Sequence, residues 1–149
     1  MSMDLLFSAL FMILFSLGAY QDHKKREIKD ELSIAVWLLC AFSGVNLQSV
    51  VVAFCLIWAI SLLGEKLKAK ICGWGDVLWG APFIGVIDSV AGMRMAYVSF
   101  LICFCAAQFY LYWLYNMSKL PNEKKRGAEF VLFLASSLIS TLLFCQFCL

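Results

Sequence analysis

The sequence predicts an all-α protein that crosses a membrane about six times and forms a single domain over residues 1–149. Two observations predict it. Apolar residues make up 63% of the chain and charged ones only 15%, with a mean hydropathy of +0.86, well outside the range of a soluble domain. The charges also fall in clusters, and the apolar intervals between them are long enough to cross about 30 Å of hydrocarbon as helices. Unbroken apolar runs of this kind exclude a closed barrel, whose strands alternate.

In chain order the spans are expected near 4–20, 32–46, 48–64, 77–92, 95–115 and 129–149. The first resembles a secretory signal in hydropathy. Asp4 precedes it, however, and its basic residues follow it, so a reverse anchor is expected. The uncharged stretch 32–64 is too long for one tilted helix, and Ser43-Gly44-Val45-Asn46 supplies the turn that divides it. In the fourth span Gly80, Pro82 and Gly85 follow soon after Asp76, which predicts a kinked or partly unwound helix with a mobile start. No repeat or low-complexity tract interrupts the rest.

Basic residues set the expected orientation, because Lys and Arg are retained on the cytoplasmic side. Eleven of the twelve lie in alternate loops: Lys24, Lys25, Arg26 and Lys29; Lys66, Lys68 and Lys70; Lys119, Lys124, Lys125 and Arg126. Both termini are then expected outside and these three loops in the cytoplasm, against anionic membrane lipid. They read as topology determinants, and no nucleic-acid partner is expected. The twelfth, Arg94, is expected to pair with Asp88.

Of the seven cysteines, Cys40, Cys55, Cys103, Cys105 and Cys145 fall in apolar spans, where a free thiol behaves as a small hydrophobe. Cys145 and Cys148 form a C-x-x-C near the outer end of the last span, open to oxidation if exposed, and Cys72 lies beside the Gly73–Asp76 stretch. His23 is the sole histidine and is expected as a solvated loop residue, so a histidine triad or multi-histidine metal site is disfavoured. No metal and no cofactor is expected. Tyr20, Trp37, Trp74, Trp79, Trp113 and other aromatics near span ends suit interfacial anchoring; Trp74 and Trp79 flank Asp76 and could also shape a substrate groove.

Two acids stand out. Asp76 lies in Gly73-Trp74-Gly75-Asp76, where a charged loop re-enters an apolar segment, and Asp22 holds the matching place after the first span. A carboxylate at such a boundary is a functional candidate by default. Asp76 is also well suited to cap the fourth helix, and Asp22, beside Lys24 to Arg26, is also read as a solvated loop charge. Topology places both at one face. Two aspartates close enough that both cannot ionise can hydrolyse a peptide: the charged one takes a proton from water, and the protonated one polarises the carbonyl. Gly73 and Gly75 remove bulk around the acid.

These residues carry a resemblance. Asp22-His23-Lys24-Lys25-Arg26-Glu27-Ile28-Lys29-Asp30 and Gly73-Trp74-Gly75-Asp76 are similar to the two motifs of the type IV prepilin peptidases, membrane aspartyl proteases of the G-x-G-D kind. The resemblance implies that Asp22 and Asp76 are the catalytic pair, supported by Gly73 and Gly75. It implies an inner-membrane endopeptidase that removes the basic leader of a prepilin or pseudopilin at the cytoplasmic face. The N-terminal region with paired C-x-x-C motifs that larger bacterial members carry is missing, which implies no methyl transfer. The chain departs from the family at Lys29 (usually proline), Asp30 (usually asparagine) and Leu78 (commonly lysine). The competing expectations are an intramembrane protease cutting within a transmembrane helix, and a non-catalytic scaffold or degenerate member in pilus or secretion assembly.

Overall fold

A computed structural model describes residues 5–25, 28–67, 74–117 and 130–148, and over these the chain is all-helical. Six helices follow one another: α1 (Leu5–Lys25), α2 (Asp30–Phe42), α3 (Leu47–Lys66), α4 (Trp74–Ala91), α5 (Met93–Met117) and α6 (Phe130–Cys148). Leu5–Lys24, Leu47–Lys66 and Met93–Tyr110 are long and apolar enough to cross a membrane, so the chain reads as a multi-pass membrane protein. The apolar part of α6, Phe133–Cys145, is shorter, and the 13 residues of α2 span only about 20 Å at 1.5 Å per residue.

The helices run alternately up and down. The C-terminal ends of α1 and α3 and the N-terminal ends of α2 and α4 share one end of the bundle, with Lys24, Lys29 and Lys66, here termed the basic end. The opposite end carries the α2–α3 turn at 43–46 and the α4–α5 joint at Gly92. Gly44 and Gly92 make these turns at φ of 72° and 88°, a region closed to most side chains, and the first of them was expected from its residues.

The centre of the bundle is α4, buried without interruption from Trp79 to Ile87. It packs on α2, α3, α5 and α6, while α1 packs on α2 and α6 and reaches α4 through side chains. Small residues let the neighbours in: a Cβ on Gly80 would meet Phe100 at 2.7 Å and Ile57 at 3.0 Å, and one on Gly85 would collide with Val50. Ser33, Val36 and Cys40 of α2, and Leu134, Leu138 and Leu142 of α6, repeat every three or four residues and form the inward stripes of those helices. Leu101, Ile102 and Phe109 of α5 stay exposed on the side that lipid would cover.

Three expectations are corrected. First, of the kinked or partly unwound α4 that was expected, the unwound form is excluded: the helix is continuous through Pro82. Proline has no N–H, which leaves the carbonyl four residues earlier, Leu78, without its helical donor. Trp37 of α2 supplies one, its Nε1–H donating to the Leu78 oxygen at 3.0 Å. Second, Asp88 does not pair with Arg94. Its Oδ2 accepts instead from Asn46 Nδ2 at 3.3 Å and from Ser49 Oγ, and Ser89 Oγ accepts from the Asn46 N–H at 3.1 Å, so the α2–α3 turn is laced to the end of α4. Third, the first helix extends five residues beyond the expected span, and Asp22 and His23 lie on helix rather than loop. Lys24 lies over the Tyr20 ring one turn back and donates to its hydroxyl at 3.1 Å, which favours helix through this charged stretch. Other hydroxyls in the spans turn back on their own helices: Ser16 donates to Met12 O at 2.7 Å and Ser140 to Ser136 O at 2.8 Å.

Candidate active site

The seam between α1 and α4 is closed by one aromatic. Trp79 is fully buried, and its ring stands edge-on to Phe15 at 5.1 Å between centroids. Gly18 lies flat against the same ring, so that any Cβ there would collide with it. The indole N–H donates to Ser33 Oγ at 3.0 Å, which fastens α2 over the seam as well. Trp79 therefore joins three helices at one level, a packing role in place of the interfacial anchoring or groove shaping expected of it.

From this contact both candidate acids lie toward the basic end. Asp22 follows Gly18 by four residues, and Asp76 precedes Trp79 by three, so each sits about one turn from the contact and on the same face of its helix. Because α1 and α4 run in opposite directions, the two steps lead the same way. Asp22 occupies the last turn of α1 and Asp76 the first turn of α4, and both are half-buried.

Asp76 is not the cap of α4. The helix begins at Trp74, which puts Asp76 inside the first turn, where its charge still complements the helix dipole. Gly75 is helical and exposed, and a Cβ there would meet nothing within 4 Å. Among the described residues its smallness accommodates no neighbour; it leaves open space beside Asp76. Gly73 and Cys72 lie outside the described residues.

Around the acids, Gln21 is half-buried and its Oε1 accepts from the Lys29 N–H at 3.2 Å, so the α1–α2 linker is tied back to the helix that carries Asp22. His23 is exposed, and Lys24 points at Tyr20. Among the described residues no cluster of three metal-ligating side chains occurs. Cys40 and Cys103 are buried, Cys55 and Cys105 exposed and Cys145 half-buried, all as free thiols.

On the other side of α4 lies an open groove of about 770 Å³. Trp37 and Leu38 of α2 and Val51 and Phe54 of α3 form its walls, and Trp74 and Leu78 of α4 its floor. It exists because α2 and α3 pack on α4 rather than on each other. Its aromatic lining is fixed across all three helices, with Trp37 to Phe54 at 5.6 Å and Phe54 to Trp74 at 6.1 Å, both edge-on. At its basic end stands Asp30, the one charged residue among the described residues that line it. Nothing in the sequence announced the groove, because it depends on how far apart two helices settle on a third; of the two tryptophans expected to shape one, Trp74 lines it and Trp79 does not.

The arrangement offers two carboxyls at one end of a helix seam, an open position at Gly75 and an apolar trough on the far side of the same helix. Comparison of the chain with protein-family models, with curated proteins and with solved structures finds no match.

Proposed function

We propose that this protein is a membrane-embedded aspartic endopeptidase that removes the basic leader from a prepilin or pseudopilin precursor. The observation that carries the reading is the α1–α4 seam, in which Gly18 and Trp79 close on each other and an aspartate stands one turn away on each helix, toward the same end. In this reading Asp22 and Asp76 share one proton. The ionised partner takes a proton from the attacking water, the protonated partner polarises the scissile carbonyl, and the pair returns a proton to the leaving amine. Gly75 leaves room for the substrate backbone at Asp76.

The basic end then faces the cytoplasm, in keeping with its lysines, and all six helices lie in the inner membrane of a bacterium with both termini outside. A precursor of this kind presents a short basic leader at that face, followed by an apolar helix. The system served is a type IV pilus or type II secretion apparatus.

A second reading, a non-catalytic scaffold or degenerate member, is favoured by two observations. Leu78 stands where the resembling family commonly has lysine, and Asp88 shows that this bundle also uses half-buried acid for structure, through Asn46 and Ser49. Co-expression with candidate prepilins separates the two. Leader removal by wild type, and its loss in both Asp22→Asn and Asp76→Asn at equal membrane levels, is the peptidase result. Uncut precursor with wild type supports the scaffold.

A further inference from the structure

The groove on α4 opens sideways, toward the region that lipid would fill, and Ile34, Leu38 and Val51 along it are each more than half exposed. From Asp30 to Leu38 it follows α2 for eight residues, about 12 Å, or two turns of a helix laid alongside. Rigid aromatic walls of this kind give large contact area to a packed helix. Among the described residues its only lining charge sits at the basic end and is negative; Glu31 adjoins it on α2, and the exposed Lys29 precedes it without lining the groove. A lipid phosphate at that level would face carboxylates, whereas a lysine or arginine would be matched.

The first turn of α4 links this groove to the acids. Successive residues step by about 100° around a helix, so Trp74 and Leu78 share the groove face, Asp76 projects from nearly the opposite side, and Gly75 lies between them. An extended segment leaving the groove past Trp74 meets open space at Gly75 and then Asp76.

We infer that the groove between α2 and α3 seats the apolar helix of the membrane-spanning substrate, that the chain leaving this helix crosses Gly75 to reach Asp76, and that Asp30, at the same end, engages a basic residue of the leader beyond the cut. This rests on the proposed peptidase reading, and names the surface by which that site would hold its substrate.

The probe is a synthetic peptide, Lys-Lys-Gly followed by an apolar helix of about twenty residues, added to the protein in nanodiscs. Photocrosslinking is read from Ile34→benzoylphenylalanine, with Leu101→benzoylphenylalanine on the exposed face of α5 as the comparison, both carrying Asp76→Asn to prevent turnover. Capture at position 34 is expected to exceed that at 101 about tenfold, and Asp30→Lys to lower it about tenfold through like-charge repulsion. A Glu-Glu-Gly peptide should restore capture in the Asp30→Lys chain. Equal capture at both positions, lipid adducts at 34 that excess peptide does not displace, or indifference to the charge reversal would overturn the inference. The two claims separate cleanly. A peptide captured at 34 but never cut by wild type leaves the groove and removes the peptidase; aspartate-dependent cutting without capture at 34 does the reverse.

Discussion

Replacing Trp37 by phenylalanine removes the one donor that the Leu78 carbonyl has in place of its missing helical partner. The bond spans 3.0 Å in a part-buried, apolar setting, where an unsatisfied carbonyl costs about 1–3 kcal/mol. Polar contacts between helices in membranes average nearer 0.6 kcal/mol, with the largest near 1.7, so a loss of about 1–2 kcal/mol is expected for this bond. The substitution also shrinks a ring that packs on Phe54 at 5.6 Å. Pro82→Ala isolates the hydrogen bond, because alanine restores the N–H that Leu78 O would otherwise accept. In the Pro82→Ala background the cost of Trp37→Phe should therefore fall by about 1 kcal/mol, the coupling energy of the pair. Unfolding in mixed micelles, followed by helical circular dichroism, measures all four chains. Equal cost in both backgrounds would refute the claim that Trp37 replaces the proline's missing donor.

The same assay tests the packing. Gly18→Val should destabilise by about 1–3 kcal/mol through overpacking against Trp79 and should also impair cleavage. Gly75→Ala, with no neighbour to meet, should gain up to about 1 kcal/mol from helix propensity, and a loss of stability there would contradict the open space beside Asp76. Asp88→Ala should cost about 1–3 kcal/mol by stranding Asn46 and Ser49, while Arg94→Gln should stay within about 0.5 kcal/mol. A larger effect at Arg94 would reinstate it as a partner of Asp88.

Much of the architecture was legible because it is written in local patterns. The charge clusters bound the helices, and Gly44 and Gly92 occupy the two turns that need positive φ. What escaped was long-range. Asp88 has a cation six residues away in sequence, yet its partners lie some forty residues back, where a turn brings Asn46 and Ser49 against it. Pro82 signals a free carbonyl at Leu78, but no local pattern shows that Trp37 arrives to bond it. The charged run from Asp22 to Lys25 looks like a loop by composition, whereas the Tyr20–Lys24 pair suits helix. For the candidate site, the sequence singled out the two acids and the glycine beside one of them. It did not reveal Gly18 and Trp79, whose contact sets the level at which those acids stand. The only advance signal was a glycine in mid-span, which in a membrane helix marks a close approach.

The central claim is that Asp22 and Asp76 face one seam at one end of the bundle, and cross-linking tests it without any substrate. In a chain with its native cysteines replaced, Asp22→Cys/Asp76→Cys and Asp22→Cys/Asp88→Cys are treated with a short bismaleimide in native membranes. An intramolecular link is expected in the first pair and none in the second, whose members lie at opposite ends of the bundle. Failure of the first pair to link while each single cysteine reacts, or equal linking in both, would contradict it.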